Sequence, residues 1–158
     1  MDSRLRGNDG ILDKIIHMNK SWPSAEVELE IPFHDTDPMA VAWHGHYLKY
    51  FEVARCALLR AFDYDYPQMQ ASGYFWPVVE ARLKYVKAAS YGQRIQVHAR
   101  LSEYEHRMRI DYKIIDAESG ARMTVGHTMQ VAVEITSREM QFVSPPVLWE
   151  KIEQWRKA

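Results

Sequence analysis

Between Phe33 and Tyr50 the chain reads Phe-His-Asp-Thr-Asp-Pro-Met-Ala-Val-Ala-Trp-His-Gly-His-Tyr-Leu-Lys-Tyr. Two carboxylates, Asp35 and Asp37, and three of the seven histidines, His34, His44 and His46, stand here just ahead of an apolar helical pattern. A carboxylate can attack a carbonyl or take a proton from water. A helix start adds unpaired backbone N–H groups and the positive end of the helix dipole, which bind an anion or a developing oxyanion. The same residues admit two plainer roles. An aspartate before proline often caps a helix or turns the chain, and an Asp/His cluster can hold a metal ion.

Such a loop is useful only if its flanking elements are fixed. Ahead of it, Ala25 to Phe33 alternates Val27, Leu29 and Ile31 with Glu26, Glu28 and Glu30, the period of a half-buried strand. After it, from Tyr47 to Phe62, Tyr47, Leu48, Phe51, Ala54, Leu58, Ala61 and Phe62 recur at helical spacing. A helix this apolar must be covered on most sides. A short helix follows over Pro67 to Ala71, stopped by Ser72-Gly73. Alternation then predicts strands over Val79–Tyr85, Ile95–Ser102 and Arg107–Ile114, and a long one over Arg122–Ile135 with Met123, Val125, His127 and Met129 on one face. A short strand is expected over Glu139–Val143, and past Pro145-Pro146 a terminal helix over Leu148–Arg156. This order describes an α+β protein in which an antiparallel sheet of about five strands wraps one long central helix.

The 158 residues suit one domain, expected over 23–158, with residues 1–22 read as an unstructured extension and Met18 as an alternative start. The 20 Lys and Arg nearly balance the 21 Asp and Glu, so no global basic field argues for nucleic acid or a membrane surface. No apolar run reaches the roughly 20 residues of a membrane span, and membrane insertion is not expected. The single cysteine, Cys56, excludes an intrachain disulfide framework and suits a reducing, cytoplasmic setting. Within the central helix it reads as a small buried thiol rather than a nucleophile.

The order of elements, with Asp35-Thr36-Asp37 followed by His44 and Tyr47 at the helix entrance, resembles the hotdog-fold acyl-CoA thioesterases of the 4-hydroxybenzoyl-CoA thioesterase type, including the tol-pal-linked branch. The resemblance spans about Glu26 to Val143. It implies that Asp37 is the catalytic carboxylate, that the backbone N–H of His44 meets the thioester oxygen, and that the His44 side chain is catalytic as in the tol-pal-linked branch. Gly45, lacking a side chain, leaves the helix start open to close approach and can add its own N–H. The resemblance further implies no metal and no cofactor. The expected substrate is a thioester of CoA or of acyl carrier protein, and the expected assembly a homodimer or homotetramer.

Trp43, Tyr47 and Trp76, with Tyr74 and Met108, are candidates to line an acyl pocket. Lys87, with Lys84, Arg94, Arg107 and Arg109, is a candidate for the phosphates of CoA, although a solvated strand face explains these cations equally well. Asp35 reads as structural, and His34 and His46 as loop and helix-surface residues. Two positions depart from the family pattern. Phe33 stands where the tol-pal-linked branch has tyrosine, and Ala40 where a glycine is usual, a place at which alanine resists positive φ. A non-catalytic hotdog protein that binds acyl thioesters or a partner protein remains the alternative. A dehydratase fits less well, because the carboxylate here precedes the helix.

Overall fold

The computed structural model describes residues 22–158, so the expected extension, Trp22 excepted, and Met18 fall outside the described residues. Trp22 packs edge-on against Tyr104, with ring centroids 5.6 Å apart. β1 (Ser24–Glu30) leads through two short 3-10 turns, Phe33–Asp35 and His44–His46, into the long helix α1 (Tyr47–Ala61). The short helix α2 (Tyr66–Ala71) and strand β2 (Tyr74–Phe75) follow. Then come β3 (Val78–Tyr85), β4 (Arg94–Glu103), β5 (Met108–Asp116), β6 (Arg122–Gln130), β7 (Val133–Glu134) and the terminal helix α3 (Pro146–Lys157). The main sheet has five antiparallel strands in the order β1-β4-β5-β6-β3, and β2 pairs with β7 in a separate two-stranded ribbon. One long helix against a five-stranded antiparallel sheet is the hotdog arrangement that the resemblance implies.

Helix α1 buries Tyr47, Tyr50, Phe51, Ala54, Leu58 and Leu59 against the sheet. It meets Ile95, Val97, Ala99 and Leu101 of β4 and Met108, Ile110, Tyr112 and Ile114 of β5, the residues whose alternation marks those strands. Phe51 stacks flat on Tyr112 with centroids 4.3 Å apart. It also lies over Gly126 of β6, where a Cβ would collide with the Arg82 carbonyl and approach the Phe51 ring within 2.9 Å. The glycine thus lets the helix close on the sheet.

Four expectations shift. β1 ends at Glu30 rather than Phe33, because Pro32 has no N–H to extend the ladder and the chain turns at once into the 3-10 turn. The long strand predicted to reach Ile135 stops at Gln130, whose partner Val78 is preceded by Pro77, and the chain crosses over to pair with β2. Of its apolar set, Val125, His127 and Met129 point away from α1, while Met123, at the bulge where the register shifts, is fully buried in the core. The register sets Gly126 opposite Tyr112 and Thr128 opposite Ile110, so Thr124, Gly126, Thr128 and Gln130 face the helix. Over 139–143 there is only a single bridge, Val133 to Met140, after a left-handed Arg138 (φ 60°).

β1 and β3 are the two edges of the sheet. On β3, Ala81, Leu83 and Tyr85 share the helix side, since Leu83 lies opposite Gly126, while Val79 falls at a bulge. Val79 is 58% exposed and Tyr85 49% exposed.

Candidate active site

The loop that enters α1 is tied down along its length. Asp35 is buried, and both its oxygens accept from Lys49 Nζ at 2.7 Å while Oδ2 also accepts from the Tyr50 hydroxyl at 2.7 Å. Burial opposes its charge, but the hydrogen bonds from Lys49 and Tyr50 and the charge of Lys49 outweigh burial and hold the carboxyl below its ordinary range. Its backbone carbonyl accepts from Trp43 N at 2.9 Å. Asp35 therefore anchors the loop to the first turn of the helix from inside the core.

Asp37 begins a tight turn beyond it. Its Oδ1 accepts the Met39 N–H at 2.8 Å and its carbonyl accepts the Ala40 N–H at 2.9 Å, while its own N–H reaches the Val41 carbonyl at 2.9 Å. Ala40 closes the turn at φ 63°, the left-handed conformation that a glycine would adopt without strain. Alanine at this departure from the family pattern thus takes a left-handed conformation that carries strain. Ala42 N donates to the Ala89 carbonyl at 2.8 Å and Tyr91 N to the Ala40 carbonyl at 3.2 Å, fastening the loop to the segment that joins β3 and β4.

The helix start lies next. No side chain caps the His44–His46 turn or α1, and the N–H groups of His44 and Gly45 have no acceptor among the described residues. The Trp43 ring folds over Gly45, where a Cβ would overlap it, and sits 5.1 Å from the His44 ring. Tyr85, the last residue of β3, donates its hydroxyl to the His44 carbonyl at 2.8 Å. The Tyr47 hydroxyl accepts the Ala89 N–H at 3.1 Å, its ring 5.2 Å from that of Tyr85, and burial raises its pKa.

A pocket of about 230 Å³ opens between these parts, lined by Asp37, His44, Tyr47, Tyr85, Lys87 and neighbouring apolar residues. Of the residues singled out from the sequence, Asp37, His44, Tyr47 and Lys87 thus share one pocket; Gly45 does not line it, and the space its missing side chain was expected to leave open is taken by the Trp43 ring. Trp43 does not line it, being taken up with Gly45 and His46. Trp76 lies elsewhere, buried with its Nε1 donating to the Tyr64 hydroxyl at 3.2 Å, in a separate hollow with Tyr66 and Met69. Met108 is core. Arg94, Arg107 and Arg109 pair with Glu28, Glu103 and Asp111 respectively.

Tyr85 was not visible as a site residue from the sequence. It closes an ordinary alternating strand, and only the sheet order, with β3 at the edge beside the helix start, gives it a role. Burial pushes the Cys56 thiol up, against a nucleophilic use. Among the described residues, no three His, Cys, Asp or Glu side chains gather as a cation site, and no helix is long and apolar enough to cross a membrane.

Known proteins resemble this chain in sequence and fold. A candidate esterase of Synechocystis sp. is 28% identical over 134 residues, 84% of this chain and 80% of that protein. A candidate acyl-CoA thioesterase of Bacillus subtilis is 34% identical over 77 residues, 49% of this chain and 56% of that protein. The solved DHNA-CoA thioesterase of Staphylococcus aureus is 25% identical and superimposes with a TM-score of 0.73, over 85% of this chain and 91% of its own. Residues 31–155, from the end of β1 to the terminal helix, match one family as a whole, and the chain belongs to that family, the thioesterase-like superfamily of hotdog proteins.

Proposed function

We propose that this protein is a thioester hydrolase acting on acyl or aryl groups carried by CoA or by acyl carrier protein. The observation that carries the reading is the pocket in which the Asp37 carboxylate and the uncapped helix start at His44 lie together. A thioester carbonyl over that start turns its oxygen to the N–H groups of His44 and Gly45, where negative charge grows as the tetrahedral centre forms. One such donor is typically worth on the order of 3 to 4 kcal/mol of barrier. Asp37 then has two courses. It attacks the acyl carbon and expels the thiolate, leaving a mixed anhydride that water opens, or it takes a proton from a water that attacks directly. The family name and the thioesterases among its relatives favour this chemistry over a non-catalytic binding role.

Lys87, exposed at the pocket wall, suits the phosphates of the CoA arm. The edge strand β3, with Val79 and Tyr85 exposed, suits a second copy of the chain, and a homodimer is the minimal assembly of this reading. The unpaired cysteine supports a cytoplasmic site of action.

The test is thiol release from short, medium, long and aromatic acyl-CoAs and from acyl-loaded carrier protein, with wild type beside Asp37→Asn and circular dichroism confirming both folds. Wild-type turnover that falls by about a thousandfold or more in the variant is the expected result. A wild type inert on every substrate refutes hydrolysis in favour of the binding protein. Activity unchanged by the substitution refutes Asp37 as the catalytic group.

A further inference from the structure

We infer that Tyr85 is a positioning residue of the hydrolysis proposed above, acting by gripping the peptide unit whose N–H is the Gly45 oxyanion donor; the inference rests on that reading of the site. The His44 carbonyl and the Gly45 N–H are the two ends of one planar amide, pointing in opposite directions. The Tyr85 hydroxyl donates to the carbonyl end at 2.8 Å. The Trp43 ring crowds the adjoining Gly45 Cα so closely that a Cβ there would overlap it. Between the phenol and the indole the amide plane cannot swing freely.

Two effects follow for the N–H at the far end. Its direction is fixed before substrate arrives, which is what makes an oxyanion donor effective, since no reorganisation is then needed as charge develops. A hydrogen bond accepted by a carbonyl also polarises its amide and strengthens the N–H as a donor. The carbonyl has two lone pairs, so the phenol need not displace a helix bond. Tyr85 is itself held, its ring edge-on to Tyr47 at 5.2 Å and near the His44 ring at 6.4 Å, and its backbone closes the β3–β6 ladder opposite Thr124. The free edge strand thus reaches into the site through one hydroxyl.

Tyr85→Phe removes that hydroxyl and keeps the ring with its edge contacts, so the fold is retained. The expected result is a fall in kcat of about tenfold, smaller than the 100- to 1,000-fold typical of deleting an oxyanion donor outright, with KM changed less than about twofold. Independently of turnover, selective ¹⁵N-glycine labelling should show the Gly45 amide resonance moving in Tyr85→Phe more than that of any other glycine. Asp37→Asn, run in parallel, separates the two claims. If it abolishes activity while Tyr85→Phe keeps wild-type kcat, or if the Gly45 resonance stays in place, the positioning role is wrong and the hydrolase reading stands. If Asp37→Asn retains full activity, the reading of the site fails and the role of Tyr85 in it fails too.

Discussion

Asp37 meets the pocket with one oxygen already engaged, because Oδ1 holds the Met39 N–H. Oδ2, which accepts no hydrogen bond among the described residues, is the freer oxygen for either proposed mechanism. Its neighbour Asp35 has the opposite character, buried and saturated by Lys49 and Tyr50. Asp35→Asn is expected to lower stability by about 2 kcal/mol in urea unfolding at pH 7, a modest figure because Lys49 is half exposed. The pH dependence has a definite sign. The folded carboxyl titrates below the unfolded one, so the unfolded chain binds more protons in between and stability rises with pH there. The wild-type advantage is thus complete above the ordinary aspartate range near about 3.9 and disappears as pH falls through the lowered folded value. Equal unfolding midpoints at pH 7 would show that Asp35 is not the loop's anchor. The spacing of the two aspartates from the helix could be read from the chain alone; which one is inside could not, because burial depends on Lys49 and Tyr50 turning back toward the loop.

At the scale of elements, alternation located β3, β4 and β5 because their apolar residues share one side, and helical spacing found α1 to within a residue of its end. At β6 alternation grouped Val125, His127 and Met129 on one face without showing which way it points. That face is turned from the helix and the polar set meets it, since the space under Phe51 admits only a glycine and the Tyr112 hydroxyl needs Thr128 Oγ1 at 2.8 Å, while Met123 at the bulge joins the core. Those are demands of neighbouring strands, invisible in a strand's own sequence. Trp76 was misplaced for a similar reason: β2 leaves the main sheet to pair with β7 and carries it away from the pocket. The polar inner face of β6 is not fully satisfied. Thr124 Oγ1 is buried with no hydrogen-bond partner among the described residues. Thr124→Val, which keeps the shape and removes the stranded hydroxyl, is expected to stabilise the protein by about 1 kcal/mol, read as a rise of about 2–4 °C in the calorimetric midpoint. A fall of that size would mean that the hydroxyl is bonded in solution.

The whole molecule is a half-covered sheet. α1 lies over β1 and β4 and reaches β5 through Phe51 on Tyr112, while the flank ending in β3 leaves backbone groups unpaired and Val79, Val86 and Tyr85 in water. An open edge with exposed apolar residues beside it invites a second copy, and light scattering is expected to report a dimer or a multiple of it. Val79→Lys should shift that assembly toward monomer, since a charged residue on an edge opposes pairing; a wild type monomeric at micromolar concentration would leave the edge without its partner. β3 is also the strand that ends in Tyr85, so the element stiffened by association is the one that reaches the helix start. Specific activity should then depend on how much enzyme is in the cuvette. On abrupt dilution the progress curve should bend downward over the time the assembly takes to come apart, and recover when the protein is concentrated again.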